Sequence, residues 1–106
     1  MTAKKTLNAA DTAERVEHDS AAQRFVAHLP EGEAFLGYER KGHDTLDLQH
    51  TVVPEEARDR GVGDSLVRAA IDHARKHNYR IIPSCPFVDA WLSEHPDARD
   101  LIAVGG

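Results

Sequence analysis

Residues 53–66 combine two glycines with two arginines, and this combination suits the binding of phosphate oxygens. Gly61 and Gly63 carry no Cβ, so the backbone around them can approach a ligand closely and adopt conformations that other residues avoid. Arg58 and Arg60 add positive charge to the same turn. A helix is predicted to begin just after the turn, and it would contribute unpaired N–H groups and the positive end of its dipole. The segment therefore predicts a site for a phosphate or diphosphate ligand.

Two familiar glycine motifs do not fit this segment. The dinucleotide-binding motif Gly-x-Gly-x-x-Gly requires glycine at the position of Leu66. The phosphate-binding P-loop requires a lysine after its second glycine, whereas Gly63 is followed by Asp64. What remains is the motif Arg58-x-x-Gly61-x-Gly63, placed between a predicted strand and a predicted amphipathic helix.

This order of strand, loop and helix resembles the pyrophosphate loop of the GNAT superfamily, which contains acyl-coenzyme A-dependent N-acetyltransferases. The family pattern is Gln/Arg-x-x-Gly-x-Gly/Ala. Three further segments are similar to the compact, single-domain GNAT-like group. They are His50-Thr51-Val52-Val53 before the loop, Ile82-Pro83-Ser84-Cys85-Pro86 after the helix, and His95-Pro96 near the end. The resemblance covers roughly residues 15–103.

The resemblance implies that acetyl-coenzyme A (acetyl-CoA) is a co-substrate held at two places. In the family fold, the pantetheine arm of coenzyme A (CoA) enters between two diverging parallel strands, which here end at Val53 and near Pro83. The backbone of Thr51 and Val53 is placed to pair with the arm, because residues two apart present their N–H and C=O groups along the same edge. The residues expected to bind the diphosphate are Arg58, Asp59, Arg60, Gly61, Val62, Gly63, Asp64 and Ser65.

Cys85 is the first of two candidate catalytic residues. It lies in Ser84-Cys85-Pro86, where a predicted strand ends and a predicted helix begins. A helix N-terminus favours the nucleophilic thiolate form of a cysteine. In the resembling fold this strand end lies near the acetyl thioester, so Cys85 is expected to accept the acetyl group transiently or to protonate the departing CoA thiolate. The alternative is a small, inert core residue that packs beside Trp91.

His50 is the second candidate catalytic residue. Imidazole exchanges protons near neutral pH, so His50 could act as a general base, directly or through a water molecule. If it neighbours Cys85, it would also activate that thiol. The alternative is a satisfied core histidine, because His50 falls on the same nominal strand face as Leu46, Leu48 and Val52.

The tyrosines depart from the family pattern. Many GNAT enzymes use a tyrosine after the fifth strand as the general acid for the leaving group. Here the two tyrosines, Tyr38 and Tyr79, both precede Cys85. A tyrosine is therefore not expected to protonate the departing CoA thiolate here, which makes Cys85 a more important candidate for that role.

The elements around the loop follow from residue periodicity. Residues 15–18 form a short, weak strand pattern, and segments 23–29, 33–41 and 45–53 alternate apolar and polar residues, which predicts an antiparallel meander. Residues 63–78 are predicted to be helical, with an apolar face of Leu66, Val67, Ala70, Ile71 and Ala74. A short strand at 79–83 would then pair in parallel through a right-handed crossover. A second helix would begin at Pro86, with an apolar face of Phe87, Val88, Trp91 and Leu92.

These elements and the resemblance together predict an α/β (α+β) fold of the GNAT type. Its sheet would be bent, mixed and mostly antiparallel, with a splayed parallel strand pair joined by the crossover helix. Residues 1–13 are small, polar and aperiodic and are expected to be disordered. Residues 14–106 are expected to form a single compact domain, which suits a chain of 106 residues.

Composition excludes several classes of partner. The net charge of −5 argues against nucleic acid, and no apolar run is long enough to span a membrane or to act as a secretory signal. The single cysteine cannot form an internal disulfide, which suggests a cytoplasmic location. His73 and His77 have a spacing that can bind zinc on a helix, but no third ligand is evident, so no metal is expected.

Two functions are left open. The first is an acetyltransferase that moves the acetyl group of acetyl-CoA to an amine, either on a protein or peptide tail or on a small molecule. The second is a non-catalytic acyl-CoA-binding module that acts through a protein partner. The missing tyrosine and the small size favour this alternative.

Overall fold

The computed structural model describes residues 16–103, so the predicted disordered segment at residues 1–13 lies outside the described part. Residues 16–103 contain five strands: β1 (Glu17–Asp19), β2 (Arg24–Leu29), β3 (Gly32–Lys41), β4 (Thr45–Val52) and β5 (Arg80–Pro83). The same described range contains two α-helices, α1 (Val62–His77) and α2 (Pro86–Ser93). Two 3₁₀ segments span Glu55–Ala57 and Pro96–Leu101.

The strands form one mixed sheet in the order β1-β2-β3-β4-β5. The first four strands are antiparallel neighbours, and β5 pairs with β4 in parallel after the α1 crossover. The predicted α+β class, the mostly antiparallel sheet and the single parallel pair are therefore confirmed.

The hydrophobic core lies on one face of the sheet, which we call the inner face. Both helices pack here, because buried residues of α1 and α2 share one cluster with Leu36 of β3 and Leu48 of β4. The predicted apolar face of α1 is buried as expected: Leu66, Val67, Ala70, Ile71 and Ala74. Helix α1 begins after Gly61 and ends at Asn78, which has φ 59° and closes the helix in the left-handed conformation.

A β-bulge in β4 changes the side-chain alternation that the sequence predicts. Gly37 of β3 lies opposite His50, whereas the next residue, Tyr38, lies opposite Leu48, so Gln49 is an extra residue. Beyond Gln49 the alternation is therefore shifted by one position. His50 and Val52 are exposed, and the predicted location of both on the face of Leu48 is wrong.

Three histidines pack together between β1 and α1. The ring centroid of His73 lies 4.3 Å from that of His18 and 4.4 Å from that of His77. His18 Nε2 also lies 2.6 Å from the hydroxyl of Tyr38. Burial and the neighbouring rings of His18 and His77 lower the pKa of His73 from 6.5 to about 4. Burial likewise lowers the pKa of His18.

This cluster is expected to make the free energy of unfolding depend on pH. The unfolded chain binds protons at His73 below about pH 6.5, while the folded chain resists protonation until about pH 4. The contribution of His73 to the free energy of unfolding is therefore fully present above about pH 6.5 and is lost as the pH falls toward about 4. Because His73 is partly exposed, we expect a loss of about 1–2 kcal/mol rather than the full shift.

Urea unfolding at about pH 7 and about pH 4.5 measures this loss, with His73→Gln compared against the parent chain. His73→Gln should lose about 1 kcal/mol less than the parent over this interval. An equal loss of unfolding free energy in both proteins would show that groups other than His73 cause the pH dependence.

Candidate functional site

A gap opens between β4 and β5 because the two strands separate partway along β4. Their parallel pairing ends at Leu48 and Pro83, and the amide of Cys85 then donates a last hydrogen bond of 2.9 Å to the carbonyl oxygen of Leu48. Beyond this point β4 continues to Val52 paired with β3 alone. The predicted splay is therefore present, and it leaves a free backbone edge near Thr51 and Val53.

A cavity of about 450 Å³ adjoins this free edge and extends to the glycine loop. Eight of the ten predicted CoA-binding residues line it: Thr51, Val53, Arg58, Asp59, Gly61, Val62, Gly63 and Asp64. Ala57 and Phe87 complete the lining. One continuous space thus joins the loop to the strand gap.

The loop presents backbone amides to the cavity. Gly61 has φ 81°, in the left-handed region that favours glycine, and it precedes the first residue of α1. No described side chain caps this end of the helix, and Val62, Gly63 and Asp64 all line the cavity, so the first turn of α1 and the positive end of its dipole adjoin the cavity. This is the arrangement by which helix N-termini bind phosphate.

The two arginines of the loop differ in their surroundings. The guanidinium of Arg60 lies 2.9 Å from Glu31 Oε1 in the β2–β3 turn, and Arg60 does not line the cavity. Arg58 does line it, is exposed, and forms no ion pair within residues 16–103. Arg58 is therefore the cation available to an anionic ligand.

Ser65 is the other predicted residue that lies outside the lining. Its side chain is fully buried, and its hydroxyl donates a hydrogen bond of 3.0 Å to the carbonyl oxygen of Gly61. Ser65 thereby supports the shape of the loop from behind.

Asp64 lines the cavity, but its carboxylate is engaged elsewhere. Trp91 Nε1 donates to Asp64 Oδ1 at 2.6 Å, and Arg68 Nε donates to Oδ2 at 2.8 Å. Burial raises the pKa of Asp64, but these two hydrogen bonds more than offset it, and the net pKa lies below the ordinary value. The bond from Trp91 fastens the first turn of α1 to α2, whereas the bond from Arg68 lies within α1.

Phe87 is a residue of the cavity that the sequence did not identify. It was predicted to belong to the apolar face of α2, and this is wrong, because 46% of its surface is exposed. Its ring lies over Gly63, where an added Cβ would come within 2.8 Å of Phe87 Cζ. The second glycine of the motif therefore makes room for this ring.

Cys85 lies at the start of α2 and is only 4% exposed. Its Sγ is 3.5 Å from Thr51 Oγ1, and either atom could be the donor. Thr51 lines the cavity while Cys85 does not, so the thiol contacts a residue of the lining without itself belonging to it.

His50 lies on the opposite face of the sheet, which we call the open face. An added Cβ at Gly37 would lie 3.2 Å from His50 Cδ2, so the imidazole rests directly on the backbone of β3. The condition under which His50 would activate Cys85 is not met among the described contacts, because the bulge directs His50 away from the face that carries Thr51 and Cys85. The alternative of a buried core histidine is also wrong, because His50 is exposed.

Neither tyrosine reaches the cavity. Tyr38 is bonded to His18, and the hydroxyl of Tyr79 accepts a hydrogen bond of 3.0 Å from Arg40. Within residues 16–103, no group of three metal-binding side chains is arranged around a common point, and no helix is long and apolar enough to cross a membrane.

Comparison with known proteins gives a consistent result. Residues 24–101 match the model of the GCN5-related N-acetyl-transferase family. Protein NATD1 of Xenopus tropicalis is 36% identical over 84 residues, which cover 77% of each chain. Protein NATD1 of Homo sapiens is 34% identical over 84 residues, covering 77% of this chain and 74% of the human protein. The NMR structure of a GCN5-like protein from Staphylococcus aureus superposes with a TM-score of 0.66 at 27% identity, covering 83% of this chain and 86% of that one.

Proposed function

Because the chain belongs to the GCN5-related N-acetyltransferase family, we propose that it transfers the acetyl group of acetyl-CoA to an amine. The observation that supports this most directly is the cavity that joins the glycine loop to the free edge of β4. A diphosphate and an extended arm require these two surfaces in one continuous space.

The chemistry of the loop fits the diphosphate of CoA. Gly61 and Gly63 keep the backbone free of Cβ atoms at the points of closest approach, and the amides from Val62 to Asp64 supply neutral donors. Arg58 supplies the full charge, and its guanidinium suits phosphate oxygens. Phe87 would cover the bound group from the side of α2.

The free edge of β4 fits the amide-containing pantetheine arm. Thr51 and Val53 are two residues apart, so their backbone groups can pair with an extended chain as a neighbouring strand would. The vertex of the gap, where Cys85 is bonded to Leu48, would stop the arm beside the bulge at Gln49.

When bound, acetyl-CoA would supply an activated thioester at this vertex. The amine nitrogen forms a bond to the thioester carbonyl carbon as the carbon–sulfur bond breaks, and the nitrogen releases a proton. We assign that proton to His50, whose imidazole is exposed at the bulge on the open face. Positioning of the two reactants by the strand gap would contribute much of the acceleration.

The departing sulfur must gain a proton, and Thr51 and Cys85 are the proposed source. Thr51 lines the cavity, and the Cys85 thiol lies 3.5 Å behind its hydroxyl. A proton passed from Cys85 through Thr51 would replace the tyrosine of other family members. Burial of the thiol favours this indirect role over direct acceptance of the acetyl group.

A non-catalytic acyl-CoA-binding module is the second candidate, and the absence of a tyrosine from the cavity favours it. Both functions include CoA binding, and both are consistent with a cytoplasmic chain whose cysteine is a buried free thiol. Only the acetyltransferase would consume acetyl-CoA in repeated catalytic cycles.

The deciding experiment follows free thiol during incubation with acetyl-CoA and a panel of amines. We expect sustained, amine-dependent release that exceeds one equivalent of protein. Cys85→Ala is expected to slow release by about tenfold, and Cys85→Ser to restore part of it. Unchanged release in Cys85→Ala would make the thiol a packing residue. Release that is absent with every amine, while CoA still binds, would favour the module.

A further inference from the structure

The open face of the sheet carries a buried carboxylate that nothing in the core requires. Asp47 is only 9% exposed although it lies on β4 between Leu46 and Leu48, whose side chains fill the inner face. Its Oδ1 is withdrawn from solvent and has no hydrogen-bond partner among the described residues. An ionised carboxylate held in this way is unfavourable unless a cation or donor approaches it.

A second carboxylate lies beside Asp47. Glu39 of β3 is its cross-strand partner, and the amide of Gln49 spans both, at 3.1 Å from Glu39 Oε1 and 3.5 Å from Asp47 Oδ2. Glu39 Oε1 is also 3.4 Å from the exposed ammonium of Lys41. Lys41 pairs with Glu39 and not with Asp47, and Asp47 forms no ion pair within residues 16–103.

This pair adjoins the place where the acetyl group would be transferred. Gln49 is the bulge residue, and His50 follows it on the same open face. Asp47 precedes His50 by three residues, which corresponds to about 10 Å or less along a bulged strand. Arg24 of β2, opposite Gly37, contacts Glu33 Oε1 at 3.1 Å through one terminal guanidinium nitrogen, while its buried Nε has no hydrogen-bond partner among the described residues.

We propose that the acceptor is a primary amine that carries a second positive charge, and that Asp47 and Glu39 bind this second charge. The inference rests on the proposed function, because it names the substrate class of the same site. The distal ammonium would displace the Gln49 amide from Glu39 Oε1 and Asp47 Oδ2 and donate to these two carboxylates in its place. The proximal amine would then lie beside His50, which accepts its proton while the nitrogen–carbon bond forms, the carbon–sulfur bond breaks and the thiol departs.

This chemistry has two sources, a free diamine or polyamine and a lysine that is followed by another basic residue in a peptide. Each dicationic amine is compared with a monocationic amine of equal chain length. The pairs are putrescine with butylamine, cadaverine with pentylamine, and a blocked Lys-Lys peptide with its Lys-norleucine counterpart. The measured quantity is kcat/KM for thiol release at saturating acetyl-CoA.

The parent chain is expected to prefer the dicationic member of at least one pair by about tenfold or more, which is the size of one charge-assisted hydrogen bond. Asp47→Asn keeps the shape and should abolish this preference by lowering kcat/KM for the dications, while CoA affinity stays unchanged. Asp44→Asn, in the exposed β3–β4 turn, is the matched control and should keep the preference. Whichever pair shows the preference identifies the source.

Thermal unfolding separates this role from a structural one. Asp47→Asn replaces a buried carboxylate that has no ion-pair partner among the described residues, so its Tm should be at least that of the parent; a lower Tm would indicate a structural residue and overturn the inference. Equal rates for monocations and dications would overturn it too, while leaving acetyl transfer intact. If no amine is turned over, calorimetric titration of CoA-loaded protein with putrescine decides: binding that requires Asp47 supports the site, and its absence overturns it.

Discussion

Gly61→Glu is expected to weaken CoA binding by about a hundredfold or more, equivalent to about 2.7 kcal/mol. Three effects act in the same direction. The left-handed backbone at φ 81° is strained for any residue with a Cβ. The added side chain occupies the lining of the cavity, and its negative charge opposes a diphosphate. Isothermal titration calorimetry with CoA measures the change.

Gly42→Glu provides the matched control for this substitution. Gly42 has φ 68° in the β3–β4 turn, and an added Cβ there would meet nothing within 4 Å. The control therefore introduces comparable backbone strain and the same charge away from the cavity. It should bind CoA as the parent does. Equal affinity in Gly61→Glu, Gly42→Glu and the parent would remove the glycine loop from the binding site and with it the basis of the proposed function.

His50→Ala is expected to lower kcat by about a hundredfold or more, which is the range of general base catalysis. CoA affinity should be unchanged, because His50 lies on the open face and does not line the cavity. In the parent chain, kcat/KM should fall as the pH is lowered, because the base must be neutral to accept a proton. Steady-state kinetics across pH give both results.

Two variants sharpen the test of His50. His28→Ala removes another exposed histidine of the sheet, which pairs with Glu17 and Glu33, and it should leave kcat unchanged. Gly37→Ala retains the imidazole but displaces it, since the new Cβ would lie 3.2 Å from the ring. It should lower kcat less than His50→Ala does. A pH profile of the same shape in His50→Ala and the parent would assign the base to another group.

Local patterns in the sequence were sufficient to predict the main helices and strands and the glycine loop. The apolar spacing of α1 requires burial of one face wherever the helix packs, and an Arg-x-x-Gly-x-Gly loop before a helix has few alternative uses. The splay between β4 and β5 was expected from the family resemblance alone, and Pro54 after β4 is consistent with it.

The orientation of the catalytic candidates could not be predicted in the same way. Leu46, Leu48, His50 and Val52 alternate without interruption in the sequence, and the insertion of Gln49 is set by the pairing of β4 with β3. The alternation in β4 predicts that Asp47 is solvent-exposed. Its burial could not be predicted, because it depends on residues that are distant in the sequence. The position of Phe87 in the sequence fits the apolar face of a helix. Only the packing of α2 against α1 shows that this side chain stays outside the core and lines the cavity.

The bond between Trp91 and Asp64 has a practical consequence. Trp91 is the single tryptophan of the chain, and its indole N–H is tied to the first turn of the helix whose amides face the cavity. We therefore expect its intrinsic fluorescence to change when a ligand binds at the glycine loop, which would give an optical readout without any label.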